Sequence, residues 1–143
     1  MSTTESRAAG NLAVVGGIYE AFGRGDIEFI LEQIADDCAW ESWLDNHGQN
    51  AGLPPMKPRH GRQGVAEFFG YVATMQIQDF QVLDMLASDG QVVVEVQISI
   101  AMADGGSLTD EELHLYSLND DGKIKRMRHY VDTAKQIEAY GLR

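Results

Sequence analysis

Apolar residues recur at a spacing of about 3.6 positions from Arg7 onward, which predicts two successive amphipathic helices. The segment FGRGDIE separates them: Gly23 is suited to the left-handed position that ends the first helix, and Asp26 to the N-cap of the second. The polar residues 1–6 in front of the first helix are expected to be disordered. The two apolar faces comprise Ala8, Leu12, Val15, Ile18, Tyr19 and Phe22, and then Ile27, Ile30, Leu31 and Ile34.

The next residues alternate between apolar and polar, which predicts a short strand over residues 38–43 with Trp40 and Ser42 on one face. Residues 44–61 hold all three prolines and are predicted to form a loop. A loop of that length inside a compact domain is usually functional or mobile, so we expect it to border a cavity. A third helix then carries Val65, Phe68, Phe69 and Val72 on its buried face.

Beyond Gln76 the pattern changes to the alternation typical of strands, interrupted by turns rich in Asp and Gly. A final helix begins after Asp132, which is placed as its N-cap. The element order indicates a single α+β domain over residues 1–143, in which a curved antiparallel sheet wraps around the N-terminal helices. The four consecutive strands are predicted at residues 77–88, 91–102, 107–118 and 123–131.

Acidic residues outnumber basic ones, 22 against 11, and give a net charge of -11. This charge disfavours nucleic acid as a partner, because phosphate binding needs clustered Lys and Arg. With 44% hydrophobic residues, the chain has enough apolar side chains for a packed core. The single cysteine, Cys38, permits no internal disulfide, and no apolar run has the length of a membrane span or a signal-peptide core. We therefore expect a cytoplasmic protein without a membrane partner.

Two segments resemble a known superfamily. They are IYEAFGRGDIEFILEQIADDCAWES near the start and HLYSLNDDGKIKRMRHYVDTAKQIEAYG near the end. Both are similar to the SnoaL-like families, polyketide cyclases among them, that are related to nuclear transport factor two and ketosteroid isomerase. The resemblance implies a cone-shaped fold with an internal cavity. Isomerases, cyclases, dehydratases, epoxide hydrolases and noncatalytic modules all use that cavity, so the fold alone does not name the reaction.

The ketosteroid isomerase resemblance can be tested residue by residue. In that enzyme an Asp base works opposite an oxyanion hole made of a Tyr and a protonated Asp. Aligned on its ADD, GDIE and DDGKI segments, this chain has Ser42, Ile18 and His114 at those three positions. None matches, so we do not expect steroid isomerisation by that mechanism. SnoaL-type cyclases place an acid/base Asp just after the last strand, and Asp132 in HYVDTAKQIEAYG fits that position.

The pairing of the last two strands decides which of their side chains enter the cavity, because a one-residue slip exchanges the faces of a strand. A four-residue loop over Asn119–Gly122 sets Tyr116 opposite Lys125, His114 opposite Met127 and Glu112 opposite His129. A three-residue loop would instead set His114 opposite Arg128. We predict the four-residue loop. One face then carries Glu112, His114, Tyr116, Met127, His129 and Val131.

The expected catalytic side chains are Asp132, His114, Tyr116 and His129. Asp132 or His114 would move a proton, and Tyr116 or Ser42 would bind the developing oxyanion. Each has a purely structural alternative: the histidines as ordinary strand residues, Asp132 as a helix cap, and Tyr116 as packing. Two histidines with flanking carboxylates, Glu112, His114, His129 and Asp132, could in principle bind a divalent metal. No compact metal-ligand spacing is present, however, so we expect neither a metal nor another cofactor. The expected ligand-binding residues are Trp40, Ser42, Trp43, Phe68, Phe69, Glu112 and Met127.

The sequence therefore predicts an enzyme of cofactor-independent acid/base chemistry, of isomerase, cyclase or dehydratase type. Its substrate would be a small, largely apolar carbonyl or polyketide-like compound. A noncatalytic ligand-binding or dimerisation module of the same fold is the alternative. Val93, Leu113 and Leu115 leave apolar side chains on the convex face of the sheet, which predicts a homodimer through that face.

Overall fold

Outside the segment 44–61, the helices and strands follow one another in the order that the apolar pattern predicts. The computed structural model describes residues 4–41, 43 and 45–142. The strands are β1 (Ile34–Trp40), β2 (Arg59–His60), β3 (Gln76–Ala87), β4 (Gln91–Ala101), β5 (Ser107–Leu118) and β6 (Ile124–Tyr130). The helices are α1 (Thr4–Gly23), α2 (Ile27–Glu32), α3 (His47–Ala51), α4 (Gly61–Val72) and α5 (Thr133–Ala139).

The strands form one six-stranded sheet in the order β2-β1-β6-β5-β4-β3. All neighbours are antiparallel except β1 and β6, which run parallel. In β4 the alternate residues Val92, Val94 and Val96 are fully buried, so one face of the sheet packs on the core. The curved sheet is open and wraps the N-terminal helices, which confirms the predicted α+β fold.

Helix α1 lies against the β3–β4 hairpin through a face slightly rotated from the predicted one. Val15, Ile18 and Ala21 are buried, but Leu12 is 38% exposed. Asn11 takes the inward position instead, and its Nδ2 donates hydrogen bonds to the carbonyls of Ser88 (3.1 Å) and Asp89 (3.0 Å). The prediction that Leu12 belongs to the buried face is wrong, because the turn offers unpaired carbonyl groups that only a polar side chain can satisfy.

The α1–α2 junction confirms one cap and corrects another. Asp26 is the N-cap of α2, and its Oδ1 accepts a hydrogen bond from the Phe29 amide at 3.2 Å. Gly25, with φ of 73°, adopts the left-handed conformation that we assigned to Gly23, which is still helical. Ile34, predicted as part of the second helix, is the first residue of β1.

The segment predicted as a loop over residues 44–61 contains regular structure. Its described part holds α3, a 3-10 turn over Pro54–Met56 and the short strand β2. Leu53 and Met56 are buried, which anchors the segment to the domain. Pro55 lines the cavity described below, as expected for a segment bordering it. Proline and glycine correctly indicated a backbone without long helices or strands. Packing against the rest of the domain nevertheless gives this segment short regular elements.

The β5–β6 pairing differs from the predicted register by two residues. Leu118 pairs with Ile124, whereas Ser117 pairs with Arg126, so Lys125 is an extra residue in β6. After this bulge His114 lies opposite His129. The predicted opposition of His114 and Met127 is therefore wrong. Because the shift is even, the same side chains still face the core.

Candidate active site

The concave face of the sheet and helices α1 and α4 enclose a cavity with a volume of about 90 Å³ that is partly open to solvent. An apolar cavity with a few converging polar groups is the usual form of a small-molecule site. The apolar lining consists of Ile18, Phe22, Trp40, Pro55, Phe68, Phe69, Val72, Met75, Ile77, Phe80, Ile98, Ile100 and Met127. The lining side chains with polar groups are Tyr19, Glu112, His114, Tyr116, His129, Gln136 and Tyr140.

Aromatic rings form much of the wall. The ring of Trp40 lies 5.4 Å from that of Phe68 and 6.0 Å from that of Phe69, and edge-on to Tyr116 at 6.4 Å. These centroid distances are typical of attractive aromatic pairs. A wall of this kind favours a flat, largely apolar ligand.

The polar side chains form one continuous series of contacts, which we call the polar chain: Tyr116, Tyr19, His114, Glu112 and His129. The two phenol oxygens are 2.8 Å apart, and the Tyr19 hydroxyl lies 2.5 Å from His114 Nδ1. His114 Nε2 is 3.1 Å, and His129 Nε2 is 3.3 Å, from the same oxygen, Oε1 of Glu112. Helix α1 supplies one member, and the paired strands β5 and β6 supply the rest.

Glu41 and Gln136 hold the polar chain from outside the two strands. Glu41 is fully buried, and its Oε2 lies 2.6 Å from His129 Nδ1. Its backbone has φ of 61°, which is rare for a residue with a side chain, and its amide donates to the Met127 carbonyl at 2.8 Å. Gln136 on α5 donates from Nε2 to Glu112 Oε2 at 3.1 Å. Both ring nitrogens of His129 and both oxygens of Glu112 are therefore engaged.

The charges of this cluster reinforce one another. Burial alone would lower the pKa of His129, but the carboxylates of Glu41 and Glu112 raise that pKa well above its ordinary value. Burial alone would raise the pKa of Glu112, but the charge of His129 and hydrogen bonds from both histidines hold it far below its ordinary value. At neutral pH the cluster therefore holds an imidazolium and a carboxylate in contact.

The two phenols stay protonated over the whole physiological range. Burial raises the pKa of Tyr19, and the neighbouring Tyr116 raises it further. Burial likewise raises the pKa of Tyr116 well above its ordinary value. Both phenols therefore keep a proton that they can donate, and neither acts as a base.

The sequence of the chain matches a known protein family. The sequence profile of the SnoaL-like domain matches residues 15–127, which is most of the chain. The chain belongs to the SnoaL-like domain family. No curated protein matches it in sequence.

Solved structures share the fold of this SnoaL-like domain over nearly their whole length. An NTF2-like protein of unknown function from Burkholderia pseudomallei K96243 is 25% identical, with a TM-score of 0.74 over 92% of this chain and 97% of that one. TerC, crystallised with polyporic acid, is 24% identical, with a TM-score of 0.73 over 92% and 98%. RV0760c from Mycobacterium tuberculosis, in complex with estradiol-17beta-hemisuccinate, is 18% identical, with a TM-score of 0.70 over 88% and 96%.

Most of the predicted site residues of this SnoaL-like domain meet in the cavity. The members that line it are Trp40, Phe68, Phe69, Glu112, His114, Tyr116, Met127 and His129. Within the described part of the chain, no helix is both long and apolar enough to cross a membrane.

Two predicted site residues lie outside the cavity lining, and a third is not among the described residues. Asp132 is exposed, caps α5 by accepting the Lys135 amide at 3.0 Å, and does not line the cavity. Trp43 packs its ring on Tyr130 at 4.5 Å and also does not line the cavity. Ser42 lies outside the described residues.

Sequence reasoning missed Tyr19, Glu41 and Gln136 as site residues. Extending the strand alternation to Trp43 placed Glu41 on the face opposite Trp40, but β1 ends at Trp40 and the positive φ turns the next side chain inward. The signal for Glu41 in the sequence was a single carboxylate directly after Trp40, a tryptophan expected to be buried. Tyr19 fits the apolar face of the first helix, but its hydroxyl needs a hydrogen-bond partner when the ring is buried. Gln136 carried no local signal.

Proposed function

We propose that this SnoaL-like domain is an enzyme of cofactor-independent acid/base chemistry acting on a small, largely apolar carbonyl or polyketide-like compound. One observation carries the proposal: a buried, fully connected polar chain opens onto a cavity that is otherwise aromatic and aliphatic. Isomerisation, cyclisation and dehydration of a carbonyl compound all require a proton to be delivered to, or taken from, an oxygen atom. A hydrogen-bonded series ending in a cavity suits that transfer.

In this proposal Tyr116 touches the substrate oxygen, and Tyr19 joins Tyr116 to the proton carrier, His114. The two phenols, held as donors by burial, stabilise negative charge on that oxygen as an oxyanion hole does. Glu112 fixes the ring of His114 through Nε2. When the ketone enolises, one proton passes from His114 Nδ1 through the two hydroxyl groups to the substrate oxygen, and the α-proton leaves to water at the open side of the cavity. The reverse steps return a proton to the carbon and a proton to His114.

His129 acts as a positioning residue. It shares Oε1 of Glu112 with His114, so its charge keeps Glu112 ionised and aligned. Asp132 has no part in this proposal, since it is exposed and lies outside the cavity lining.

The apolar wall defines the ligand class. Trp40, Phe68 and Phe69 present rings to the cavity, and its volume of about 90 Å³ favours a small ligand that leaves part of itself at the open side. Two structural neighbours were crystallised with small organic molecules, TerC with polyporic acid and RV0760c with estradiol-17beta-hemisuccinate. These complexes support binding of a small organic ligand in the cavity.

The proposal can be tested with 2-tetralone, an apolar ketone, and 2-naphthol, a phenol that resembles its enol. Binding of 2-naphthol is measured by fluorescence, and exchange of the ketone's α-protons in D2O by NMR, both with a chelator present. We expect binding and accelerated exchange by the wild type. Tyr116→Phe should weaken 2-naphthol binding by about tenfold, and His114→Gln should slow exchange by about a hundredfold.

Tyr130→Phe is the matched control, because that phenol packs on Trp43 and does not line the cavity. Tyr130→Phe should leave both 2-naphthol binding and α-proton exchange unchanged. Binding without accelerated exchange would favour the noncatalytic ligand-binding module. Equal affinity of the wild type and Tyr116→Phe would refute the assigned contact with the ligand oxygen.

We also propose that two copies associate through the convex face of the sheet. Leu86, Val93 and Leu115 form a row across β3, β4 and β5, and Leu86 is 65% exposed. Asp84 and Glu95 pair on one side of this face. The basic side chains of β6 lie on the other side, so a two-fold axis between them would bring acidic and basic groups together.

A further inference from the structure

Three metal-ligating groups converge at the centre of the polar chain. Glu112, His114 and His129 each offer a ligand atom, and these atoms all lie within 4.8 Å of one another. Ligands of one tetrahedral ion lie about 3.4 Å apart when each bond is about 2.1 Å. The two contacts to Glu112 Oε1, at 3.1 and 3.3 Å, already approach that spacing. We propose that Glu112, His114 and His129 bind a single divalent ion of the class that imidazole prefers, Zn²⁺ above all.

Each proposed ligand has an outer partner on its other polar atom. His129 Nδ1 contacts Glu41 at 2.6 Å, and His114 Nδ1 contacts the Tyr19 hydroxyl at 2.5 Å. With Nδ1–H donating to these oxygens, each Nε2 can ligate the ion once its own proton is released to solvent, as metal binding by histidine requires. Metal-ligating histidines have this outer arrangement almost without exception. The remaining oxygen of Glu112 accepts from Gln136 at 3.1 Å, so the third ligand is oriented as well.

Charge and access agree with this assignment. Glu41 and Glu112 bring two carboxylates into a site where neither is more than 6% exposed, and a divalent cation that replaces the extra proton of His129 would balance both. All three ligands line the cavity, so a fourth coordination position faces it. Three protein ligands with one open position form the type of zinc site that accepts a water molecule or a ligand oxygen.

A bound ion would also affect the proposed proton relay. The ion would occupy Nε2 of His114 and Oε1 of Glu112, which the proton relay needs in their hydrogen-bonded form. Bound Zn²⁺ would therefore inhibit the proposed exchange reaction. Ion binding itself requires no substrate, so it can be measured whether or not the acid/base proposal holds.

The experiment titrates the chelator-treated full chain with Zn²⁺ by calorimetry, and with Co²⁺ by its visible absorption spectrum. We expect one ion per chain and a tetrahedral Co²⁺ spectrum. His114→Gln should weaken Zn²⁺ binding by about a hundredfold or more, and Glu41→Gln by about tenfold through the outer contact. The chain's other two histidines, His47 and His60, are both exposed, so His47→Gln and His60→Gln are matched controls that should bind as the wild type does.

Two outcomes would overturn the site. One is absence of stoichiometric binding by the wild type, and the other is equal binding by wild type and His114→Gln. Circular dichroism establishes that each variant is folded, and if His114→Gln does not fold, Tyr19→Phe takes its place, with a loss of about tenfold expected. Cys38 does not compete for the ion, because burial raises the pKa of its thiol to about 12.

Discussion

Glu41 and His129 form a buried contact, Oε2 to Nδ1 at 2.6 Å, although they lie 88 positions apart in the chain. The contact joins the end of β1 to β6, the parallel neighbours in the sheet. Breaking a buried charged pair by removing one partner is costly, because the other charge is left without compensation. Loss of either partner alone is therefore expected to destabilise the fold, and the contact orients the histidine toward the cavity.

Glu41→Gln should lower the free energy of unfolding by about 3 kcal/mol, as measured by urea denaturation. Its control is Asp36→Asn, which removes an exposed carboxylate in contact with Arg62 and should cost less than about 1 kcal/mol. In a double-mutant cycle with His129→Gln, the two losses should be strongly non-additive. Additive losses would show that the two side chains do not interact.

Stability should depend on pH in two directions. The raised pKa of His129 stabilises the fold fully below the pKa of an unfolded histidine, about 6.5, and this contribution is lost as pH rises toward the folded value. The lowered pKa of Glu112 stabilises the fold above the pKa of an unfolded glutamate, about 4.3, and this contribution is lost as pH falls. The free energy of unfolding should therefore be greatest at about pH 5 to 6.

Urea denaturation between pH 4 and 8 measures this profile, and His129→Gln should flatten its alkaline side. The range stops at pH 8 because burial raises the pKa of Cys38 to about 12. Above the ordinary pKa of a thiol, this residue therefore also lowers the free energy of unfolding. An alkaline slope of equal size in His129→Gln would assign the effect to another group.

Variants of Asp132 distinguish a role as the N-cap of α5 from a role in proton transfer. Asp132→Asn keeps an oxygen that can accept the Lys135 amide, so stability and 2-tetralone exchange should both stay at wild-type values. Asp132→Ala should lower the free energy of unfolding by about 1 kcal/mol and still leave exchange per folded molecule unchanged. A hundredfold loss of exchange in folded Asp132→Asn would return the proton-transfer role to this residue.

The proposed dimer depends on the apolar convex face. Leu113 is 46% exposed there, and Leu113→Glu should shift the mass measured by light scattering from dimer to monomer at micromolar concentration. The control is Leu12→Glu on α1, where the leucine is 38% exposed and away from the sheet face. A monomeric wild type at the same concentration would contradict the proposal.

The local patterns of the chain predict much of this structure. Alternation in β5 and β6 places His114, Tyr116, Met127 and His129 on one face, and that result survives an incorrect register because the error is an even number of residues. The caps at Asp26 and Asp132 follow from side-chain oxygens that satisfy free amides of the next turn. These features depend on neighbours within a few residues, which a sequence displays directly.

The contacts within the candidate site were decided by the tertiary structure and not by any local pattern in the sequence. The Lys125 bulge sets His114 against His129, so that both reach one oxygen of Glu112. The positive φ of Glu41 turns its carboxylate onto His129, and packing of α1 over the sheet brings the Tyr19 hydroxyl to His114. Each of these contacts joins elements far apart in the chain. Their energies depend on burial and three-dimensional geometry, which helical or strand periodicity does not encode.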